Sequence, residues 1–174
     1  GIGMFISHNI KVLEEDDYFI YRNRFAPLQL DENNMPVNVQ YATLLVNDKL
    51  LHVYNFHGMW YPGDKLDTLE RIKQSEKLLQ FMDKRQGPKI ICGDFNLIPE
   101  TQSISILEKS MRNLIKEFHI KTTRSWLNPY RGTAMDQFFS DYMFVSKEIN
   151  VSRFSVPDIS ISDHLPMILD FTLQ

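Results

Sequence analysis

Cysteine is all but missing from this chain. The single Cys92 in 174 residues has no partner for an internal disulfide, and its neighbours Ile90 and Ile91 mark it as a buried, inert thiol rather than a nucleophile. A reducing, cytoplasmic setting is expected. Long apolar runs are missing too. None approaches the ~20 residues of a membrane span, and no charged-then-apolar leader stands at the start, so a soluble protein is expected. The chain opens at Gly1 without an initiator Met. Nor is there a surplus of positive charge: 19 Lys and Arg against 22 Asp and Glu leave a formal charge of -3. That weakens the case for a polynucleotide substrate but leaves it open, because a bound cation supplies positive potential that the sum does not show. Repeats, linkers and low-complexity segments are absent. With 43% hydrophobic residues, one globular domain is expected, and a monomer.

The chain is organised around Pro88-Lys89-Ile90-Ile91-Cys92-Gly93-Asp94-Phe95-Asn96. Apolar residues entered after a Gly87-Pro88 breaker read as a strand buried on both faces, with polar residues only at its C-terminal mouth. Side chains two apart on a strand share a side, so Asp94 and Asn96 are expected to be presented together. The same residues are also ordinary turn chemistry.

Upstream, residues 3–7 and 10–13 read as short strands, and Glu14-Glu15-Asp16-Asp17 as a solvated turn without a metal. Residues 31–36 read as loop. Residues 38–46 and 50–56 read as two strands joined by a tight turn at Asn47-Asp48. The second ends Asn55-Phe56-His57-Gly58, a second polar mouth. Between Gly63 and Lys84 the period becomes helical, with Asp67 and Glu70 at the spacing of a capping box. Helices are expected after Thr101 and over 111–118, and strands over 122–127, 141–145, 151–156 and 166–172.

Two further polar clusters stand at strand ends. Ser140-Asp141-Tyr142-Met143-Phe144-Val145-Ser146 begins an apolar strand with a carboxylate, which also serves as a strand cap. Ser162-Asp163-His164-Leu165-Pro166 sets a carboxylate beside an imidazole, in a stretch that also reads as a rigid surface turn. His8, His52 and His119 have no acidic neighbour at useful spacing and read as core or surface histidines.

Together, Asn55-Phe56-His57, Gly93-Asp94-Phe95-Asn96, Asp141-Tyr142-Met143-Phe144-Val145-Ser146 and Ser162-Asp163-His164-Leu165-Pro166 closely resemble, in order and spacing, the endonuclease/exonuclease/phosphatase (DNase I-like) superfamily. The resemblance covers nearly the whole chain. It implies a four-layer α/β sandwich of two mainly antiparallel sheets, and a metal-dependent phosphoesterase that cleaves a phosphodiester or phosphomonoester by in-line attack of an activated water. In that scheme Asp94 orients or deprotonates the water, Asn96 donates its amide to a phosphoryl oxygen, and Asp141 holds His164 against the phosphate. Asp163 is a metal ligand or a carboxylate near the metal, and His57 a second phosphate-facing or leaving-group residue. Asn55 is the weakest assignment, at a strand end that it also serves to brace. An all-oxygen site next to an anionic substrate suits Mg2+, with Mn2+ as substitute.

The resemblance also exposes a gap. Family members begin with a strand ending in a site Asn and continue to a strand carrying Gln-Glu, whose Glu is the principal metal ligand. This chain matches only the segments downstream of those two strands, so it is expected to be an N-terminally truncated, C-terminal portion with an incomplete metal site. A catalytically incomplete remnant with a residual phosphate pocket is the alternative. The substrate classes implied are nucleic acid, phosphoinositide or another phospholipid headgroup. Trp60 and Arg124, in segments 59–62 and 124–131, are candidates for contacting it by stacking and by binding a further phosphate.

Overall fold

A computed structural model of the chain describes residues 2–22, 36–60, 63–133 and 136–174. Chain order is β1 (Lys11–Tyr21), β2 (Val37–Val46), β3 (Lys49–His57), α1 (Leu69–Asp83), β4 (Lys89–Asp94), α2 (Gln102–Glu108), β5 (Arg112–Asn113), α3 (Leu114–Glu117), β6 (Asp141–Val145), β7 (Ile149–Ser155) and β8 (Ile168–Leu173). Among the described residues these form a six-stranded sheet of order β1-β2-β3-β4-β6-β5 and a two-stranded sheet β7-β8. Every pairing is antiparallel except β3 with β4, the pair that α1 connects as a crossover. This is the α/β sandwich of mainly antiparallel sheets that the sequence implied.

The large sheet is closed on one face by α1, whose Leu78, Phe81 and Met82 are buried. The Phe81 ring stacks on Tyr18 at 4.3 Å and meets Tyr54 edge-on at 6.2 Å. Farther along the same face Phe95 sits among Phe56, Tyr142 and Phe144, with ring centroids 5.1, 5.6 and 5.5 Å away. Phe95 follows Asp94 directly, so this cluster anchors the mouth of β4. In the small sheet, Leu169 and Phe171 are half-buried and pack on the core.

Several expectations are corrected. The acidic run is no turn, because Glu14 to Asp17 lie inside β1, an edge strand opposite β2. Charged side chains suit an edge, and Glu14 accepts hydrogen bonds from Tyr41 Oη at 2.9 Å and Arg85 Nη2 at 2.9 Å. Those bonds, Arg85's first, hold the Glu14 carboxyl below its usual range. Residues 3–7 are not a strand. The helix expected over 111–118 shrinks to α3, preceded by β5. Residues 122–127 form no strand, only an isolated bridge between Arg124 and His164. Here side-chain hydroxyls compete for the backbone: Arg124 N donates to Thr122 Oγ1 at 2.9 Å and Leu127 N to Ser125 Oγ at 3.0 Å. The capping box also dissolves. Thr68 caps α1 through Oγ1, while Asp67 takes Gln102 N at 2.6 Å and Ser103 N at 3.1 Å, capping α2 instead. Except for Pro36, the loop expected over 31–36 lies outside the described residues.

His52 proves to be a core histidine. It is buried between Thr43 Oγ1 at 3.0 Å and the Gln86 carbonyl at 3.0 Å. Burial is the main cause that lowers its pKa from 6.5. The folded value lies below the unfolded one, so the unfolded chain takes up a proton first. The stability from His52 is therefore fully present above the unfolded value and is lost as pH falls through the folded value. In chemical denaturation at about pH 7.5 and about pH 5, His52→Gln should lose less stability than the wild type over this interval. Equal losses would show that His52 is not the group responsible.

Candidate active site

Strand register builds the first part of the site. His57 ends β3 opposite Asp94 at the end of β4, and Asp94 lies opposite Asp141 at the start of β6. Directly paired residues project on one side of a sheet, so a histidine and two carboxylates form a row across three neighbouring strand ends. His57 Nε2 lies 4.0 Å from Asp94 Oδ2. Backbone bonds stitch the loops beyond: Gly58 N donates to Asp94 O at 2.7 Å and Phe95 N to Ser140 O at 2.8 Å.

The second part arrives from the C-terminal turn. Ser125 N donates to Asp163 O at 3.0 Å and Leu165 N to Thr123 O at 2.9 Å, which ties residues 123–125 to 163–165. His164 is thereby laid over the row. Its Nδ1 is 2.8 Å from Asp141 Oδ2 and its Nε2 is 3.9 Å from Asp94 Oδ2. Arg124 reaches the same imidazole, with Nη1 in hydrogen-bond contact with His164 Nε2, while Nη2 pairs with Asp163 Oδ2 at 2.8 Å. A guanidinium only donates, so His164 Nε2 is the acceptor here and the ring proton sits on Nδ1, aimed at Asp141. Protonation at Nε2 requires the Arg124 contact to open.

The electrostatics follow from burial and charge. Burial opposes charge on His164, but the hydrogen bond and charge of Asp141, helped by Asp94, outweigh it and raise the imidazole above its usual range. Asp141 is buried, and that burial lifts its carboxyl against the pull of His164. The two groups meet along a 2.8 Å axis. Burial likewise raises the Cys92 thiol.

A cleft of about 220 Å³ opens above this cluster, lined in part by His57, Trp60, Asp94, Asn96, Arg124, Asp163 and His164. Except for Asn55, the site residues from the sequence thus gather, with Asp141 beneath His164. Asn96 is not presented beside Asp94 by strand alternation: β4 stops at Asp94 and Asn96 adopts a left-handed φ of 55°. There its Nδ2 donates to Gly58 O at 3.1 Å, and its N–H donates to Asp94 Oδ1 at 2.8 Å. Asn55 does not join the cleft. Its amide donates to Gly3 O at 3.1 Å, which braces the strand end. Among the aromatics, Trp60 and Tyr130 line the cleft and Trp126 does not. Tyr61 and Pro62 lie outside the described residues.

The structure adds groups that the sequence did not single out. Lys65 and Gln137 line the cleft, and Ser140 Oγ hydrogen-bonds Asp94 Oδ1. Buried Thr123 accepts Ser140 N at 3.1 Å and Asp141 N at 3.2 Å. The fully buried Arg71 donates to the carbonyls of Met59, Trp60 and Leu66, fixing the loop that carries Trp60 and Lys65. No local motif marks these residues: Ser140 meets Asp94, and Gln137 the carbonyls of Gly63 and Asp64, across 46 and more than 70 residues of chain.

Asp94, Asp141 and His164 offer donor atoms within 4.8 Å of one another, the one group of possible metal ligands among the described residues. Asp94 Oδ2 takes no hydrogen bond from them, whereas Asp141 Oδ2 and His164 Nδ1 bond each other. One open carboxylate, with the Asp163 carboxylate nearby, fits a cation that keeps most of its waters and binds through few carboxylates plus substrate oxygens, as Mg2+ does.

A family model for the Endonuclease/Exonuclease/phosphatase family matches residues 1–164. The chain belongs to this family. A UPF0294 protein of Vibrio vulnificus (strain CMCP6) is 26% identical over 141 residues, or 80% of this chain and 46% of the relative, so the chain spans about half of that relative's length. The fold matches a mannosyl-6-phosphatase of Bacteroides thetaiotaomicron VPI-5482 with a TM-score of 0.68 and 17% identity, over 94% of this chain and 67% of the other. It matches D. rerio TDP2, complexed with a single-strand DNA product, with a TM-score of 0.66 and 16% identity over 94% and 68%. At such identities the likeness is one of fold. No helix among the described residues is long and apolar enough to cross a membrane.

Proposed function

We propose that this endonuclease/exonuclease/phosphatase chain carries the cleft of a metal-dependent phosphoesterase that cleaves a phosphodiester or phosphomonoester by in-line attack of water. The observation that carries the reading is the imidazole of His164, held 2.8 Å from Asp141 and directly over the Asp94 carboxylate. Asp94 Oδ2, free of hydrogen bonds from the described residues, orients and deprotonates the attacking water. His164, steadied by Asp141, meets the phosphoryl group from the other side as Arg124 swings off Nε2. Arg124 then follows the charge to the phosphate; its Nε is buried without a partner among the described residues. The half-exposed His57 faces the same phosphate. The remaining N–H of the Asn96 amide donates to a phosphoryl oxygen, while Trp60 stacks on the leaving group. Asp163, freed as Arg124 leaves it, would hold Mg2+, or Mn2+ in its place, in the cleft it shares with Asp94, and the ion would neutralise charge on the phosphoryl oxygens. The lone, half-buried Cys92 supports a cytoplasmic setting, and a monomer is proposed.

A second reading is a residual phosphate pocket without turnover. It is favoured by the short list of donors, since two of the three possible metal ligands are bonded to each other. A panel assay separates the two readings. Single-stranded DNA, duplex DNA, RNA, phosphoinositides and sphingomyelin are offered with Mg2+, with Mn2+ and with a chelator. Metal-dependent hydrolysis of one class is the expected result. Phosphate binding without hydrolysis of any would leave the pocket and remove the enzyme.

A further inference from the structure

Lys65 lines the cleft yet is buried, with only 8% of its surface exposed. Its backbone has a left-handed φ of 58°, a conformation that a side chain adopts at a cost and keeps only where surroundings impose it. Two contacts impose it. Ile98 N donates to Lys65 O at 3.0 Å, and buried Arg71 holds the carbonyl of the next residue, Leu66. The loop is thus locked so that a long cationic side chain points inward. At its tip, Nζ makes one hydrogen bond to the described residues, a 3.5 Å contact with Phe139 O, although an ammonium has three donors. A buried ammonium left this short of partners is costly unless something else supplies them. Burial is the chief cause that lowers its pKa, against the pull of Asp94.

We propose that Lys65 is a substrate-binding residue whose ammonium donates to a non-bridging phosphoryl oxygen of the ester held in the cleft. This role rests on the phosphoesterase reading and extends it. Lys65 lines the same cleft as Asp94, His164 and Arg124, so the phosphoryl group is met by two cations, Arg124 beside the imidazole and Lys65 from the loop after β3. Lys65 serves a non-bridging oxygen that Arg124 does not take, and its donors go from one long contact to a charge-assisted bond.

Inorganic phosphate is the probe, titrated by calorimetry at fixed ionic strength, with and without Mg2+, into the wild type, Lys65→Met, Lys65→Arg, His164→Gln and the exposed control Lys77→Met. Lys65→Met should bind phosphate about 10- to 100-fold more weakly, Lys65→Arg within about threefold of the wild type, and Lys77→Met equally well. Equal affinity in Lys65→Met and wild type, with loss in His164→Gln, overturns the role of Lys65 and leaves the cleft reading standing. No phosphate binding by any of these proteins overturns both. Should Lys65→Met fail to fold by circular dichroism, the wild type decides the matter. With lysine Cε labelled and the Lys65 signal assigned through Lys65→Arg, that signal should move on phosphate addition. A fixed Lys65 signal beside moving His164 ring signals overturns the proposal.

Discussion

Replacing Asp94 or His164 by Ala should lower turnover of whichever phosphoester the panel identifies by roughly 100- to 10,000-fold, the range for loss of a positioned acid, base or charge partner. The two replacements should differ in their side effects. Asp94 is part-exposed, so water entering the cleft can accept from the Ser140 Oγ and Asn96 N that now donate to its Oδ1, and Asp94→Ala should cost about 1 kcal/mol of stability. His164→Ala strands the buried Asp141 carboxyl without its 2.8 Å partner, and should cost about 1–3 kcal/mol. His164→Gln keeps a donor near Asp141 and should restore most of that stability but none of the activity. Steady-state kinetics with the required metal, alongside urea denaturation, checks both halves. Near-normal turnover in either alanine variant would show that the base or the phosphate partner is misassigned.

Gly93→Ala should be strongly destabilising. Gly93 has a φ of 140° and pairs with Phe56 across the parallel β3-β4 junction. A Cβ there would stand 1.9 Å from the Phe56 carbonyl oxygen and 2.9 Å from its carbon. Backbone on the opposite strand cannot step aside as a side-chain tip can, so β3 and β4 must part just below His57 and Asp94. A loss of about 3–5 kcal/mol is expected, a large share of the 5–15 kcal/mol that holds a typical domain together. Gly87→Ala is the comparison: φ is 102°, but nothing lies within 4 Å, so only backbone strain of about 1 kcal/mol remains. Urea denaturation of both variants is the measurement. A Gly93→Ala protein within about 1 kcal/mol of wild type would show that Gly93 and Phe56 are not partners across β3 and β4.

The residues at strand mouths were legible because they are sequence-local. An apolar run closed by Gly93-Asp94, and another closed by Asn55-Phe56-His57, announce where a sheet ends, and the family resemblance supplied their order. Less legible were stretches in which local signals compete. Glu14 to Asp17 carry the composition of a turn, but a strand edge with Tyr41 and Arg85 in reach satisfies them better. Asp67 has the spacing to cap its own helix, yet Thr68 takes that place and the Asp67 carboxylate accepts the N-terminal N–H groups of α2.

The sequence by itself determined which chemistry is on hand: carboxylates, imidazoles and carboxamides at the ends of buried strands, in an order shared with a family of phosphoesterases. A strand's period and its terminators are properties of a few consecutive residues, which is why that much could be read directly. Only the tertiary structure decided which groups meet. The parallel pairing of β3 with β4 and the antiparallel pairing of β4 with β6 align His57, Asp94 and Asp141. The bonds between residues 123–125 and 163–165 bring His164 and Arg124 over that row. The turn after β4 sends the amide of Asn96 to Gly58, and Ile98 N holds the carbonyl of Lys65 in the loop that lines the cleft. Each of these depends on partners from separate segments of the chain, and no local pattern encodes a contact whose other half lies dozens of residues away.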